Sequence, residues 1–208
     1  MANAPLVAVL EDGRDRGFLG PGPVEAHVDH AVTLARLIGR PDGPFLDLGS
    51  GGGVPGLVLA FEWPGVSGTL LDASQRRCEF LTEAVAELGL GGRVGVRCGR
   101  AERLARDPAL RGTFPLVVAR AFGPPPVVAE CGLGFLADGG ALVVSEPPSS
   151  EDTATAERWS ETGLQLLGLS APEARRVGAV GVVVVTRVGP VEERWPRRDG
   201  VPSKRPLW

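Results

Sequence analysis

The sequence is poor in the residues that build covalent or metal-based frameworks. Its 208 residues include three cysteines and two histidines. Cys78, Cys98 and Cys131 are scattered, odd in number and without a Cys-x-x-Cys pair, which predicts reduced thiols rather than a disulfide framework or a zinc site. Two histidines are too few for a histidine-rich metal site. We therefore expect no bound metal.

Long apolar runs and an excess of positive charge are also lacking. No stretch approaches the roughly 18 apolar residues of a membrane span, and the N-terminus has neither the basic region nor the apolar run of a signal peptide. We therefore expect a cytoplasmic protein, a monomer without a membrane partner. The formal net charge is −3, so any surface that binds nucleic acid has to be local.

The most informative stretch that is present is the turn at residues 45–56, Phe-Leu-Asp-Leu-Gly-Ser-Gly-Gly-Gly-Val-Pro-Gly. Its pattern predicts a short apolar strand, a glycine-rich turn and then a helix. Glycines let the chain turn sharply and let a ligand touch the backbone, and Pro55 suits the first turn of a helix. Free N–H groups at such a turn bind polar or anionic groups, and cofactors lie there in doubly wound sheets.

Two classes of cofactor use a turn of this kind. The spacing Gly51-x-Gly53-x-x-Gly56 fits the dinucleotide fingerprint, which by itself is a weak indication. Asp47, two residues before Gly49, would repel a pyrophosphate but suits a cofactor with a cationic amino-acid end. The sequence therefore favours S-adenosylmethionine, with a dinucleotide and a purely structural turn as the alternatives.

Residues that follow the next predicted strands complete the candidate cofactor site. Asp72 ends the second strand, residues 68–72, and an acid at that place can hold ribose hydroxyls. The turn at residues 99–102 follows the third strand, residues 93–98, and an adenine could lie against it. The predicted cofactor-binding residues are Asp47, Gly49, Ser50, Gly51, Gly53, Pro55, Asp72, Ala101, Glu102 and Arg120.

Three arginines are candidates for positioning a substrate. Arg76 lies in the first turn of a helix that Ser74 is expected to cap, and a cation there opposes the helix dipole and suggests an anionic partner. A solvated pair with Arg77 is the plainer alternative. Arg100 lies in the turn after the third strand. Arg120 directly follows the fourth strand, at the edge of the sheet where an acceptor should approach the cofactor.

Apolar segments alternate with helical patterns along the chain and predict one Rossmann-like α/β domain. We expect a mostly parallel seven-stranded sheet with helices on both faces. Residues 1–43 would form an N-terminal helical cover, residues 44–190 the core and residues 191–208 a basic tail. The last two predicted strands, residues 164–169 and 180–188, would form an antiparallel hairpin at the sheet edge.

Two helices are predicted outside the cofactor motif. Residues 23–38 form an amphipathic pattern that carries His27 and His30, and we interpret both as packing or surface histidines rather than as a base or ligand. Residues 149–161 predict a polar helix.

The tail interleaves basic residues with tryptophans. Arginine on phosphate with aromatic stacking is typical of RNA binding, whereas the plainer interpretation is a solvated basic terminus. The residues concerned are Arg194, Trp195, Arg197, Arg198, Lys204, Arg205 and Trp208.

Five motifs in order resemble the bacterial 16S rRNA (guanine-N7) methyltransferases of the RsmG/GidB type. They are residues 47–56, Leu70-Leu-Asp72, Arg76-Arg77-x-x-Phe80-Leu81, Gly99-Arg-Ala-Glu102 and Ala119-Arg-Ala-Phe122. Residues 17–21, His30 and the tail extend the likeness over nearly the whole chain.

This resemblance implies a class I S-adenosylmethionine-dependent fold, methyl transfer to guanine N7 and the small ribosomal subunit as partner. Because guanine N7 has a free lone pair, the chemistry is mainly orientation. We therefore assign no residue as a catalytic acid or base and expect Arg76, Arg100 and Arg120 to clamp phosphate or base.

One position departs from the family pattern. After the fifth strand the family usually carries Lys-Gly, whereas this chain has Ser145-Glu146-Pro147-Pro148. An anion thus replaces a cation that could meet RNA phosphate. Two alternatives to an rRNA methyltransferase stay open: a paralogue that methylates a small molecule or a protein, and a non-catalytic ribosome-binding protein.

Overall fold

A computed structural model of the chain describes residues 4–147 and 157–208. Within these ranges the helices are α1 (Ala4–Asp15), α2 (Val24–Ile38), α3 (Gly56–Glu62), α4 (Gln75–Glu87), α5 (Ala101–Leu104), α6 (Pro125–Leu133), α7 (Glu161–Leu166) and α8 (Val201–Lys204). The strands are β1 (Phe45–Leu48), β2 (Gly68–Asp72), β3 (Val94–Cys98), β4 (Phe114–Ala119), β5 (Leu136–Glu146), β6 (Glu173–Val177) and β7 (Val180–Thr186).

The strands form a seven-stranded sheet in the order β3-β2-β1-β4-β5-β7-β6. Strands β1 to β5 pair in parallel, and β7 joins β5 and β6 in antiparallel fashion. The predicted α/β class with a mostly parallel sheet is confirmed. The order of strands reverses between β1 and β4, and such a switch point opens a crevice at the carboxyl ends of the strands.

Helices cover both faces of the sheet. Because successive residues of a strand point to opposite faces, one strand contributes to the core on each side. All four residues of β1 are buried. Phe45 packs in a cluster with residues of α1, α2, α3 and α4, whereas Leu46 packs in a second cluster with residues of α5, α6 and α7. A strand buried on both faces explains why its sequence is apolar throughout except for Asp47.

The N-terminal helices lie on the first of these two faces. Helix α2 forms where its amphipathic pattern predicts it. Helix α1 is more than a cover, since Leu6, Val9 and Leu10 are buried and belong to the first core cluster.

The prediction of a strand at residues 164–169 is wrong. Helix α7 occupies the first half of this segment, and Leu169 makes only an isolated bridge with Arg187. Ser160 begins α7 by accepting the N–H of Gly163 on its Oγ at 3.1 Å, which a reading of apolar residues alone does not detect. The hairpin partner of β7 is instead β6. The helix predicted at residues 149–161 lies mostly outside the described residues.

Candidate functional site

The turn after β1 is held from beneath by Asp47. This side chain is fully buried; its Oδ2 accepts the N–H of Gly56 at 2.9 Å, and Ser50 Oγ donates to the Asp47 carbonyl at 3.0 Å. A Cβ on Gly56 would lie 2.5 Å from Asp47 Oδ2, so only glycine fits. Helix α3 begins at Gly56, with Pro55 just before it.

The other oxygen of Asp47, Oδ1, is buried and has no hydrogen-bond partner among the described residues. Burial raises the pKa of Asp47 to about 7, although the bond from Gly56 acts in the opposite direction. Asp47 does not line the cavities described below. The geometry therefore supports a role in bracing the turn rather than the direct ligand contact that the sequence suggested.

Asp72, at the end of β2, faces the same turn from the neighbouring strand. Its Oδ2 accepts the N–H of Gly51, and its Oδ1 accepts the N–H of Ser74, both at 2.9 Å. Ser74 stands at the start of α4 without a capping bond from its own side chain, so the predicted cap is wrong. Arg77 Nη1 lies 3.7 Å from Asp72 Oδ2.

Three cavities open along the carboxyl ends of the strands. The first cavity, about 220 Å³, includes Gly49, Asp72, Gly99, Ala101, Glu102, Phe122 and Ser203 in its lining. The second cavity, about 350 Å³, includes Phe18, Gly20, His27, Ser50, Gly51 and Arg120. The third cavity, about 230 Å³, includes Gly123, Pro125, Ser145, Glu146 and Arg158.

Ala121 is common to the linings of all three cavities, and Gly49 and Arg77 are common to the first two. Ala121 has a φ of 54°, a left-handed conformation that is uncommon outside glycine and often marks functional sites. Gly49 has a φ of 79°, and a Cβ there would lie 2.6 Å from Phe122. Ala121 thus lies where the linings of the three cavities adjoin, and the absence of a side chain at Gly49 leaves room for the ring of Phe122.

Arg120 is oriented by a histidine. Its Nη2 lies 2.8 Å from His27 Nδ1, and His27 Nε2 lies 3.2 Å from the carbonyl of Gly20. Because the guanidinium can only donate and the carbonyl can only accept, His27 is neutral with its proton on Nε2. Burial lowers the pKa of Arg120, but a guanidinium stays charged. His27 thus joins Arg120 to the loop that forms one wall of the second cavity.

Of the other predicted arginines, Arg76 lines none of the three cavities and lies 5.8 Å above the ring of Phe18. Its neighbour Arg77, which the sequence offered together with Arg76 either for an anionic partner or as a solvated pair, lines two of them. Arg100 lines the first cavity and donates to Glu102 Oε1 at 2.6 Å.

Glu102 is buried and holds a distant part of the chain. Its Oε1 also accepts the N–H of Gly200 at 2.8 Å. Burial alone would raise the pKa of Glu102, but the bonds from Arg100 and Gly200 outweigh it and lower the pKa. The predicted cofactor residue Ala101 lines the first cavity beside it, whereas Gly53 and Pro55 line none of the three cavities and shape the turn.

Glu146 does not present a free negative charge at the sheet edge. Its Oε2 is in close contact with the guanidinium of Arg158, and its Oε1 accepts Trp159 Nε1–H at 3.1 Å. Only 3% of its side chain is exposed, against 38% for Arg158. The anion that departs from the family pattern is therefore paired with the cation of Arg158.

The tail is docked rather than free. Trp195 is buried, and Arg197 donates to both oxygens of the fully buried Glu130, with the shorter contact at 2.6 Å. The segment predicted as a basic tail thus packs against the body of the protein, and its Ser203 lines the first cavity. The arginines of the tail that remain exposed are Arg194, Arg198 and Arg205.

Metal and membrane features are absent from the part of the chain that the structure describes. Cys78, Cys98 and Cys131 are free thiols. Residues 4–147 and 157–208 contain no group of three or more potential ligands placed to hold a metal ion. Within the same ranges, no helix has both the length and the apolar character to cross a membrane.

Comparison with protein families matches residues 23–176 to the GidB family, described as rRNA small subunit methyltransferase G. Relatives named ribosomal RNA small subunit methyltransferase G include one from Deinococcus radiodurans, 36% identical over 216 residues, which covers 99% of this chain and 84% of the relative. Another from Prochlorococcus marinus (strain MIT 9303) is 38% identical over 190 residues, covering 89% and 73%.

Solved structures share the fold at low sequence identity. A putative O-methyltransferase from Klebsiella pneumoniae has a TM-score of 0.61 at 16% identity and covers 91% of this chain and 92% of its own. An O-methyltransferase from Bacillus cereus, solved with S-adenosylhomocysteine, has a TM-score of 0.61 at 15% identity, with coverages of 90% and 92%. At such identity these likenesses show the class I methyltransferase fold alone.

Proposed function

Because the chain belongs to the rRNA small subunit methyltransferase G (GidB) family and is an S-adenosylmethionine-dependent methyltransferase, we propose that it methylates N7 of a guanine in 16S rRNA. The observation that carries this proposal is the junction at Ala121. There, the two cavities beside the glycine turn and a third cavity at the ends of β4 and β5 share one lining residue. Cofactor and acceptor can thus approach one another from opposite sides of one small residue.

The residues of the first two cavities fit the cofactor. Asp72 borders the first cavity at the end of β2, where a carboxylate can accept ribose hydroxyls. The backbone of Gly49 and Gly51 borders the second cavity, and Arg120 supplies a cation there for the carboxylate of the methionyl end. The unpaired Oδ1 of Asp47 beneath this turn adds a negative potential that suits a cationic ligand.

When bound, S-adenosylmethionine supplies an electrophilic methyl group attached to a positively charged sulfur. The protein's own part is to place an acceptor nitrogen in line with that methyl group. Gly49 and Ala121 have no large side chain that would fill the space between the cofactor and the acceptor. The contact with His27 holds the guanidinium of Arg120 in place, where it can bind an anionic group. No side chain needs to remove a proton, because guanine N7 carries a free lone pair.

The pairing of Glu146 supports an RNA acceptor. A free carboxylate at the third cavity would repel phosphate, whereas Glu146 is buried against Arg158. The exposed part of Arg158 leaves a donor at the cavity mouth, and arginine binds phosphate well. The same cavity would also admit a small aromatic molecule, so a paralogue with a small-molecule or protein substrate is the alternative.

The test uses purified protein, methyl-labelled S-adenosylmethionine and small ribosomal subunits that lack the modification. We expect label in 16S rRNA, and mass spectrometry of nuclease fragments should place it on guanine N7. Arg120→Ala should lower the rate at least tenfold, whereas Arg36→Ala, an exposed arginine of α2 outside the three cavities, should leave it unchanged.

Four outcomes would contradict part or all of the proposal. Absence of label in the RNA would remove the rRNA substrate, and label on a protein or a small molecule would favour the paralogue. Calorimetric binding of NAD in place of S-adenosylmethionine would overturn the cofactor assignment. Equal rates for Arg120→Ala and Arg36→Ala would remove Arg120 from the site.

A further inference from the structure

The C-terminal segment, residues 191–208, is fixed to the body of the protein through its backbone. Arg106 donates to the carbonyl of Glu193 at 3.0 Å, and Arg111 donates to the carbonyl of Trp195 at 2.9 Å. Arginines that bind carbonyls recognise the path of the chain rather than its side chains. The path of this segment is therefore built into the fold.

The segment then turns back at Gly200, directly beside the first cavity. Gly200 has a φ of 76°, which glycine adopts without strain, and its N–H donates to the buried carboxylate of Glu102. Arg103 and Asp199 form an ion pair at 2.7 Å next to this bond. Helix α8 consequently starts directly after a residue that is hydrogen-bonded to Glu102 in the lining of the first cavity.

One residue of α8 lines the first cavity. Ser203 does so together with Asp72, Ala101 and Glu102, although it comes about 100 residues later than these turns in the chain. Its hydroxyl can both donate and accept a hydrogen bond. It is also exposed, so that a ligand in the cavity would find it uncovered.

We propose that α8 forms a wall of the cofactor site and that Ser203 contacts the adenosine part of the bound cofactor. This inference rests on the proposed function, which places S-adenosylmethionine in the first two cavities. Glu102 is then a positioning residue that anchors α8 through Gly200. The tail thereby serves cofactor binding, in addition to any contact that its exposed arginines make with RNA.

A wall supplied by the C-terminal segment couples two equilibria. A ligand that touches both the β2 and β3 turns and α8 stabilises the docked segment by the same free energy that the docked segment adds to its binding. S-adenosylhomocysteine, which keeps the adenosine part, should therefore slow the local opening of residues 200–205.

The test compares two tryptophan substitutions on α8. Ser203→Trp places bulk inside the first cavity and should raise the Kd for S-adenosylhomocysteine at least tenfold in calorimetry. Lys204→Trp adds the same bulk at the next residue, which is exposed and does not line the cavity, and should change the Kd less than twofold. Unchanged circular dichroism would confirm that both variants fold.

Hydrogen exchange gives a second readout. In the wild-type protein, S-adenosylhomocysteine should slow exchange in residues 200–205 at least threefold while residues 173–177, in the edge strand β6, stay unchanged. Two outcomes would overturn the wall at α8 and leave the proposed function standing. In the first, Ser203→Trp binds S-adenosylhomocysteine as tightly as the wild type does. In the second, the wild type binds it without slower hydrogen exchange in residues 200–205. A wild-type protein that does not bind S-adenosylhomocysteine would overturn both.

Discussion

The two sides of the site are held by different kinds of contact. At the ends of β1 and β2, carboxylates bond to backbone N–H groups nearby in the sequence: Asp47 and Gly56 are 9 residues apart, and Asp72 and Gly51 are 21 apart. On the other side, buried carboxylates meet the C-terminal part of the chain: Arg197 reaches Glu130 over 67 residues, and Gly200 reaches Glu102 over 98. The cofactor turn is thus a local structure, whereas the opposite side exists only in the folded chain.

The largest expected effect comes from breaking the contact between Arg197 and Glu130. Arg197→Ala leaves the fully buried Glu130 carboxylate without its cation, which typically costs about 3 kcal/mol or more. We expect the melting temperature to fall by roughly 6–12 °C, measured by calorimetry.

The matched control is Arg198→Ala. Arg198 is the next residue and is exposed, so its removal should change the free energy of unfolding by less than about 0.5 kcal/mol. In a protein that carries Glu130→Gln, Arg197→Ala should lower the free energy of unfolding by less, since no buried charge is then left without a partner. Equal stability of the two arginine variants would show that the tail is not held by this pair.

The second prediction concerns the local side of the site. Asp72→Ala removes the acceptor for the N–H groups of Gly51 and Ser74 and the expected partner of the ribose. Loss of a charged hydrogen-bond partner costs about 1.5–3 kcal/mol, so the Kd for S-adenosylmethionine should rise more than tenfold while the protein stays folded.

Asp72→Asn separates the two roles of this residue. Asparagine keeps one acceptor for the turn but lacks the charge. The affinity of Asp72→Asn for S-adenosylmethionine should therefore lie between those of the wild type and Asp72→Ala. If both variants bind S-adenosylmethionine as the wild type does, Asp72 does not hold the cofactor.

The contrast between local and distant contacts explains which features could be predicted from the sequence and which could not. The turn at residues 45–56, the acid at Asp72 and the parallel strands were predictable because each is specified by neighbouring residues. The helical start of α7 was missed because it depends on Ser160 capping a segment that is otherwise rich in leucine. The sequence predicted the glycine-rich turn, which the structure forms, but not the burial of Asp47 beneath it, which depends on the packing of the folded chain.

The residues missed at the site have contacts that sequence spacing does not reveal. His27 meets Arg120 across 93 residues, and Ser203 reaches a cavity formed by turns about 100 residues earlier. Glu146 was interpreted as a repelling charge because nothing in the sequence shows that Arg158, 12 residues later, pairs with it. An acidic residue in a sequence indicates a charge but not whether that charge is paired.

The last prediction separates the two sides by their response to pH. Burial raises the pKa of Asp47 from 3.8 to about 7. The folded protein therefore binds this proton more tightly than the unfolded chain, and the free energy of unfolding falls as pH rises from about 4 to about 7. Burial, with the positive charge of the nearby Arg120, lowers the pKa of His30 from 6.5 to about 4. The unfolded chain then binds the proton more tightly.

His30 therefore makes the free energy of unfolding rise over nearly the same interval, from about pH 4 to 6.5, and the two contributions oppose each other in the wild type. His30 Nε2 lies 2.9 Å from Ser145 Oγ, on the β5 side, whereas Asp47 lies under the β1 turn. In Asp47→Asn only the His30 contribution remains, so the free energy of unfolding should rise with pH. In His30→Gln only the Asp47 contribution remains, so it should fall. Each slope should differ from that of the wild type by about 1 kcal/mol per pH unit at most. Urea unfolding without cofactor from pH 4.5 to 7.5 would measure the slopes. Parallel pH profiles for the three proteins would show that neither group has a perturbed pKa in the folded state.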